Sequence, residues 1–289
     1  MKIGVMLRHM GQHGGGLLGH TKHVLHHLLQ MDHGHEFVMM YSDPQYVGSY
    51  GEHANVTEVA IKAPRLLWDH VVAADLARRE DVDLIFNPKF SVPLLSGRPA
   101  VYVCHGLDWY VEPKWSPWLD RQSHRFLVPL YARKASRVIA VSESTRQHVN
   151  HYLDVPLDRI DAVHLGIGEV FLEEMSAEKI EAVRVKYELP DRYFLFVGHI
   201  YPPKNFGRLL RAYARVGPER GIKLVVAGAN LYLSDAEVAL IDELELRDWV
   251  VEPGWIDHDE LPAFYHLATA HVMPSLYEAT EIVILVLGL

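Results

Sequence analysis

The stretch that decides the fold is Lys2-Ile3-Gly4-Val5-Met6-Leu7, with Gly14-Gly15-Gly16-Leu17-Leu18-Gly19 shortly after it. The first run has the length and the continuous apolar character of a buried strand, and the second is a glycine-rich loop. After this loop, one face of a predicted helix carries Leu18, Thr21, Leu25 and Leu28. A strand, a loop and a helix in this order begin a βαβ unit.

The same alternation continues along the first part of the chain. Apolar runs predict strands at Phe37–Tyr41, Asp83–Phe86, Ala100–Cys104 and Arg137–Val141. Helical patterns lie between them at Leu66–Glu80 and Pro117–Lys134, and Ser142 or Ser144 caps a further helix. Continuous apolar strands that alternate with helices predict an α/β fold with parallel sheets covered on both faces.

The alternation breaks at Gly166-Ile167-Gly168 and the acidic stretch Glu169–Glu178. We therefore predict two domains, residues 1–172 and residues 173–289. In the second, strands are predicted at Tyr193–Val197, Lys223–Ala227 and His271–Met273. Its helices are predicted from a periodic apolar face that starts at Phe206, and from the capping boxes Ser234–Glu237 and Asp257–Glu260.

The composition excludes several classes of protein. One cysteine in 289 residues rules out a disulfide framework and a cysteine-based zinc site, and it fits a reducing cytoplasm. A net charge of −9 argues against a broad nucleic-acid surface, so no nucleic-acid partner is expected. The longest apolar run, Ile282–Leu289, is too short to span a bilayer.

The glycine-rich loop has three interpretations. Gly14–Gly19 satisfies G-x-G-x-x-G, and Asp43 lies where a dinucleotide-binding fold places its ribose-binding acid. However, a dinucleotide fingerprint turns directly from its strand, whereas six residues separate Leu7 from Gly14. The loop is otherwise either flexible without a ligand or a place where backbone N–H groups approach an anion.

Histidines are concentrated near the N-terminus. His23 and His27 are four residues apart on one predicted helix, a spacing that suits metal chelation. No carboxylate is placed among them as H-E-x-x-H requires. Solvated or partly packed histidines are the favoured interpretation, and no metal is expected.

Three strand ends carry candidate functional residues. His105 follows the strand Ala100–Cys104, and the carboxyl ends of parallel strands face the ligand crevice in open α/β sheets. Gly198, His199 and Lys204 follow Tyr193–Val197, where a glycine and a lysine near a helix N-terminus suit a diphosphate. Glu278 follows the last strand and suits sugar hydroxyls. The alternatives are a buried histidine bonded to backbone, a surface lysine and an ordinary loop glutamate.

These segments, taken together and in order, resemble the retaining glycosyltransferases of family 4, which have the GT-B architecture. The residues that carry the resemblance are Gly14-Gly15-Gly16, Val103-Cys104-His105, Ala140–Ser144, Val197-Gly198, Pro203-Lys204-Asn205, Val226-Ala227-Gly228, Pro253–Ile256 and Pro274–Glu278. The resemblance implies a GT-B-like fold with two Rossmann-like domains whose parallel sheets face a cleft, the first binding the acceptor and the second the donor.

The resemblance also implies roles for individual residues. His105 and Glu278 are the expected catalytic residues, because they match the histidine beside the transferring sugar and an acid that holds sugar hydroxyls. The expected donor-binding residues are Gly15, Gly16, Gly198, His199 and Lys204. The implied reaction moves a hexose from a nucleotide sugar to a glycan, lipid-linked or small-molecule acceptor, with retention of configuration and without a metal or other cofactor.

Four positions depart from the family pattern. Leu18 stands at a usual glycine, His199 at a position that often carries a phosphate-binding arginine, and Val286 where the family has a second acid. The chain ends at Leu289, where the family continues, so we expect a truncated, incomplete second domain. The alternative to an active enzyme is therefore a non-catalytic remnant or scaffold.

An aromatic cluster raises the question of membrane contact. Trp109, Tyr110, Trp115 and Trp118 precede the basic residues of the helix Pro117–Lys134, which begin with Arg121 and Arg125. Aromatic side chains beside cations suit a membrane interface, and they equally suit an acceptor pocket or an ordinary core. The expected location is cytoplasmic, with peripheral contact at the inner face of the membrane left open.

Overall fold

A computed structural model describes residues 1–11, 16–31, 34–228 and 235–280 of the chain. The molecule divides into two compact units, Met1–Leu165 (unit 1) and Gly166–Leu289 (unit 2). The boundary predicted after residue 172 lies slightly further along, just beyond the short 3-10 helix Glu169–Phe171.

Unit 1 contains a seven-stranded sheet in which every neighbouring pair of strands is parallel. Its strands are β1 (Lys2–Met6), β2 (Glu36–Tyr41), β3 (Val56–Ala60), β4 (Leu84–Asn87), β5 (Ala100–Cys104), β6 (Arg137–Ala140) and β7 (Ile160–Ala162). The strand order is β3-β2-β1-β4-β5-β6-β7. The order reverses beside β1, and such a switch point opens a crevice at the carboxyl edge of a sheet.

Helices connect these strands, as the alternating pattern predicts. They are α1 (Gly16–Gln30), α2 (Arg65–Leu67), α3 (Ala73–Arg79), α4 (Asp108–Val111), α5 (Trp118–Lys134) and α6 (Glu143–Leu153). The predicted helix Leu66–Glu80 is interrupted by a π-helical turn, Trp68–Val72. Of the two serines proposed as a cap, Ser142 caps α6, since its side chain accepts a hydrogen bond from the Thr145 backbone N–H at 3.1 Å.

Both faces of the unit 1 sheet are buried, which explains why its strands are apolar without alternation. Trp68 and Tyr102 lie in the core on one face, and Leu25 and Phe37 lie in the core on the other. Leu18, which replaces a usual family glycine, packs against the second core. This departure is therefore explained by packing.

Unit 2 contains a four-stranded parallel sheet with the order β10-β9-β8-β11. Its strands are β8 (Tyr193–Val197), β9 (Lys223–Ala227), β10 (Val250–Val251) and β11 (Ala270–His271). Its helices are α7 (Ala177–Lys186), α8 (Phe206–Tyr213), α9 (Asp235–Glu243) and α10 (Leu261–Leu267). Separate apolar cores cover the two faces of this sheet.

Several elements differ from the sequence-based expectation. The sequence analysis missed the strands β3, β7 and β10 and the helix α7, whose first residues lie in the acidic stretch at the predicted domain boundary. The prediction of a capping box at Asp257–Glu260 is wrong. Glu260 is the residue at the N-cap of α10, and its side chain makes no capping hydrogen bond. Its carboxylate instead accepts hydrogen bonds from Lys186 Nζ at 2.7 Å and Tyr187 Oη at 2.6 Å. The capping serine proposed for α9, Ser234, lies outside the described residues.

Two glycines meet at the carboxyl edge of the unit 2 sheet. Gly198 follows β8 with φ 134°, and its N–H donates to the carbonyl of Ala227 at 2.8 Å. A Cβ on Gly228, which follows β9, would lie 2.6 Å from the Gly198 carbonyl oxygen. Only glycine at position 228 therefore lets the two strand ends approach this closely.

We predict that Gly228→Ala destabilises the edge of unit 2 by about 1–3 kcal/mol, because the new methyl group overpacks against fixed backbone. Amide hydrogen exchange of β8 and β9, followed by mass spectrometry, should become faster. Gly166→Ala is the matched control, since a Cβ there meets no atom within 4 Å. Equal exchange rates in the two variants would contradict the prediction.

Candidate functional site

His105 lies at the carboxyl end of β5 and is tied to the neighbouring strand. Its Nε2 donates a hydrogen bond to the carbonyl oxygen of Pro88, directly after β4, at 2.8 Å. A carbonyl only accepts, so Nε2 carries the proton and Nδ1 is the acceptor of the neutral ring. His105 is thus bonded to backbone, as the alternative interpretation has it. It also lies at the carboxyl edge of the sheet, where a site residue is expected.

Burial, together with the effects of His20 and Lys89, lowers the pKa of His105 to about 4. The ring centroid of His20 lies 4.7 Å from that of His105 in an edge-on arrangement. Burial, and then the charge of His23, also lowers the pKa of His20. The rings of His105 and His20 therefore form a neutral polar pair at ordinary pH.

His9, which follows β1, completes this neutral group. Its side chain is buried, and its Nε2 donates to Thr21 Oγ1 at 2.8 Å, while that hydroxyl donates to the Leu17 carbonyl at 2.9 Å. Burial, together with the charges of Lys89 and Arg8, lowers the pKa of His9 to about 3. The sequence analysis missed His9 and His20, although both flank the glycine-rich loop.

The remaining N-terminal histidines behave differently. His23 and His27, the proposed chelating pair, are exposed on α1. Within the described parts of the chain, no group of three or more His, Cys, Asp or Glu side chains is arranged to hold a metal ion.

The loop after β4 is shaped by a buried amide. Asn87 Oδ1 accepts the Lys89 N–H at 2.9 Å, and Asn87 Nδ2 donates to the Ser91 carbonyl at 2.7 Å. Lys89 is consequently held beside the neutral histidines. Burial and the charges of Arg8 and Arg65, opposed by Asp69, lower the pKa of Lys89 to about 8.

Cys104 is a packing residue of β5 and not a nucleophile. The thiol is buried, and burial raises its pKa to about 12. A thiol with so high a pKa carries almost no thiolate near pH 7, which agrees with its interpretation as a packing residue.

Unit 2 places Lys204 and Glu278 together. Lys204 Nζ lies 2.6 Å from Glu278 Oε1, and the side chains are 14% and 32% exposed. Lys204 ends the 3-10 helix Pro202–Lys204, and Glu278 lies in the segment after β11. Two residues 74 positions apart, chosen from separate sequence segments, thus form one ion pair at the carboxyl edge of the unit 2 sheet.

Backbone contacts hold these two segments against each other. The Leu276 N–H donates to the Pro203 carbonyl at 2.7 Å. Asn205 Nδ2 donates to the Pro274 carbonyl at 3.1 Å, from a residue with φ 56°. The Lys204–Glu278 pair therefore rests on a fixed backbone frame. Nothing in the sequence pattern predicted the part played by Asn205.

Two polar atoms near this pair are buried without a hydrogen-bond partner among the described residues: His271 Nε2 and Ser275 Oγ. Burial lowers the pKa of His271, and the charge of Lys204 lowers it further. The ammonium of Lys204 therefore acts on two groups. It pairs with the carboxylate of Glu278, and it favours the neutral form of His271.

The other predicted donor-binding residues are placed as follows. Gly198 lies at the end of β8, with the positive φ described above. His199 is exposed, and Gly16 begins α1 with open space around its Cα. Gly15 and Val286 lie outside the described residues. His105 is in unit 1 and Glu278 is in unit 2.

The family model described as Glycosyltransferase Family 4 matches residues 14–169, more than half of the chain. The chain belongs to glycosyltransferase family 4. A second model, Glycosyl transferases group 1, matches residues 178–285 of this family 4 chain. The two matches cover units 1 and 2 in turn and confirm the resemblance stated from the sequence.

Curated relatives of this family 4 chain include bacterial mannosyltransferases. It is 27% identical over 234 residues to the O-antigen chain mannosyltransferase B of Escherichia coli, covering 78% of this chain and 59% of the relative. It is 31% identical over 150 residues to the serotype-specific mannosyltransferase WbdA of Escherichia coli, covering 50% and 18%. The chain thus spans less than two thirds of the length of these relatives.

Solved structures show the same fold. HepE of Anabaena, in complex with UDP and glucose, matches with a TM-score of 0.72 at 17% identity, covering 99% of this chain and 78% of HepE. WaaG, a glycosyltransferase involved in lipopolysaccharide biosynthesis, matches with a TM-score of 0.72 at 14% identity and the same coverage. The predicted GT-B-like α/β fold class is confirmed.

We predict that His105 stays neutral from pH 8 down to pH 5, with its proton on Nε2. Its folded pKa near 4 lies below the value of about 6.5 expected in the unfolded chain. The unfolded state therefore binds more protons between these values, and the stability that His105 contributes is lost as pH falls from about 6.5 toward 4. Long-range proton–nitrogen NMR correlations report both the charge and the tautomer.

The same ring resonances in urea are the control, because an unfolded histidine titrates near its ordinary pKa. A His105 imidazolium in the folded protein at pH 6 would contradict the lowering of its pKa by burial, and a neutral ring with its proton on Nδ1 would contradict the hydrogen bond to Pro88.

Proposed function

We propose that this protein transfers a hexose from a nucleotide-sugar donor to an acceptor hydroxyl, with retention of configuration. The observation that carries the proposal is the Lys204–Glu278 pair, with its 2.6 Å contact at the carboxyl edge of the unit 2 sheet. A sugar diphosphate has an anionic group directly beside a ring of hydroxyls. A cation beside a carboxylate matches that order of groups.

The names of the relatives support this proposal. Two are mannosyltransferases, and the solved HepE structures contain UDP or UDP-glucose. The donor proposed for this chain is therefore a nucleoside diphosphate sugar. The proposed acceptor class is a glycan, a lipid-linked saccharide or a small molecule.

In the proposed reaction, the bond between the anomeric carbon and the leaving diphosphate oxygen breaks. The acceptor oxygen forms its bond to that carbon on the same face, and the hydroxyl proton passes to an oxygen of the departing diphosphate. Charge accumulates on the diphosphate as the bond breaks, so an ammonium group beside it lowers the barrier without a metal ion. Holding both substrates in place supplies much of the remaining acceleration.

Each predicted residue has a role in this proposal. Lys204 moves from Glu278 to the diphosphate, and the released carboxylate of Glu278 accepts hydrogen bonds from the sugar hydroxyls. Gly198 keeps backbone close to the donor phosphates. Gly15, Gly16 and His199 line the donor, and His105 offers the acceptor atom Nδ1 to the transferring sugar.

We predict that the chain releases nucleoside diphosphate from at least one donor in a panel that includes UDP-glucose and GDP-mannose. Lys204→Ala and Glu278→Gln should each lower kcat/KM about 10- to 150-fold, since each removes one charge-assisted hydrogen bond worth about 1.5–3 kcal/mol. A coupled assay for the released diphosphate gives the rates. Lys179→Ala, at an exposed lysine of α7, is the matched control.

Anomeric coupling constants in the product check retention, because inversion gives the opposite anomer. If no donor releases diphosphate and neither UDP nor GDP binds at millimolar concentration, the catalytic proposal fails. The chain would then be the scaffold or remnant considered from the sequence.

The second part of the proposal concerns the membrane. Among the described helices, none is both long and apolar enough to cross a bilayer. Helix α5 instead exposes Trp118, which belongs to the aromatic cluster noted in the sequence, and three further apolar side chains that the sequence analysis did not single out: Leu119, Phe126 and Leu130. Exposed cations accompany them on the same helix: Arg125, Arg133 and Lys134.

The structure changes the membrane hypothesis in two respects. Trp109 and Tyr110 pack partly against the unit 1 core, which supports the core interpretation for both. Arg121 is half-buried, so it does not belong to an open basic face. We propose that α5 carries unit 1 onto the cytoplasmic surface of an anionic membrane, with apolar side chains at the headgroup boundary and cations beside the lipid phosphates.

We predict that the protein floats with vesicles of phosphatidylglycerol and phosphatidylcholine, and less with phosphatidylcholine alone. Binding should weaken at high salt, because screening reduces the attraction between cations and lipid phosphates. Phe126→Ser with Leu130→Ser should reduce flotation at least tenfold. Leu95→Ser, at a side chain that is 71% exposed outside α5, is the control. Unchanged flotation of the double variant would contradict the role of α5.

A further inference from the structure

Arg8 follows β1 and Lys89 follows β4, and the pairing of these strands, with Val5 opposite Phe86, places both cations at the same edge of the unit 1 sheet. Arg8 Nε bonds Asp69 Oδ1 at 2.7 Å, with the aspartate side chain 4% exposed. Arg65 is exposed at the start of α2. The charges of Arg8 and Arg65 both lower the pKa of Lys89, and the charge of Asp69 raises it. In a chain with a net charge of −9, this concentration of positive charge at the crevice edge is not a general property of the surface.

The histidines around these cations do not add charge. His9, His20 and His105 are all shifted toward the neutral form, as described above. The site therefore combines fixed cations with uncharged hydrogen-bonding rings.

The backbone at Lys89 is fixed from two sides. The Asn87 side chain accepts its N–H, and His105 binds the Pro88 carbonyl directly before it. The position of Lys89 at the sheet edge is therefore set by the ends of β4 and β5.

An aromatic row continues from this lysine. Lys89 Nζ lies 5.8 Å from the centre of the Phe90 ring, and Phe90 lies 5.6 Å from the ring of Trp109. Trp109 stacks on His124 at 4.3 Å. Burial lowers the pKa of His124, Asp120 opposes this shift, and the charge of Arg65 adds to it. A few charged groups beside an aromatic wall are typical of a small-molecule site.

We propose that unit 1 binds an acceptor saccharide that carries a phosphate group. Lys89, with Arg8 and Arg65, contacts the phosphate, and the sugar ring lies along Phe90 and Trp109. Guanidinium groups match the geometry of phosphate oxygens, and an ammonium adds a point charge. This inference rests on the proposed transfer reaction, and it adds the class of the acceptor.

The phosphate has two chemical sources, a free sugar phosphate and the phosphodiester of a lipid-linked sugar. Glucose 1-phosphate and its decyl phosphodiester are the probes for the two, and glucose is the uncharged reference. Binding is measured by isothermal titration calorimetry and by broadening of the ³¹P resonance, neither of which needs turnover. Tighter binding of the first probe or of the second assigns the source.

We expect one of the phosphate probes to bind at least tenfold more tightly than glucose. Lys89→Gln should weaken that binding at least tenfold, whereas Lys89→Arg should change it about threefold or less. Lys62→Gln, at an exposed lysine of unit 1, is the matched control and should have no effect. Arg65→Gln tests the same site from an exposed position where folding is not at risk, and it should lower the salt dependence of binding.

Lys204→Ala separates this site from the donor site, and it should leave binding of the phosphate probes unchanged. Loss of their binding in Lys204→Ala, equal binding of glucose, or no effect of both Lys89→Gln and Arg65→Gln would overturn the inference. Diphosphate release from a donor with no selective binding of phosphate probes refutes the inference alone. Binding that depends on Lys89 without any diphosphate release refutes the proposed reaction and leaves the phosphate site standing.

Discussion

The hydrogen bond from His105 Nε2 to the carbonyl of Pro88 is the contact on which the functional edge of unit 1 depends. It joins the ends of two neighbouring parallel strands, β4 and β5, and it leaves Nδ1 as the acceptor of a neutral ring. It also fixes the backbone next to Lys89. A histidine that ionised at this depth would lose solvation and would face Lys89 as a like charge, which is why burial and charge both favour the neutral form.

In unit 2, an ion pair lies at the sheet edge where unit 1 has neutral histidines. Its two edge segments are joined by backbone and amide hydrogen bonds, and the functional side chains Lys204 and Glu278 compensate each other. Removing either partner leaves an uncompensated group in a partly buried place. In the proposed reaction the donor offers both an anion and hydroxyls, which replace the contacts within this pair.

Much of the fold was readable from the sequence because buried parallel strands are continuously apolar and helices show their period. The placement of His105, Lys204 and Glu278 followed from one rule, that strand ends gather at one edge. Edge strands such as β3 and β7 are short and mixed, so their apolar signal was too weak. His9 looked like any other N-terminal histidine, because its burial depends on a hydrogen bond to Thr21 that only the tertiary structure creates.

The π-helical turn between α2 and α3 constrains the number of residues in this segment. The Ala73 N–H bonds the carbonyl of Trp68, five residues back, so the turn holds one residue more than an α-helix needs. The extra residue lets the consecutive side chains of Trp68 and Asp69 both be buried. Deleting one residue would close the bulge to an ordinary α-helical turn and would displace Trp68 and Asp69 from their partners Tyr41 and Arg8. The number of residues in this segment is therefore constrained as strongly as their identity.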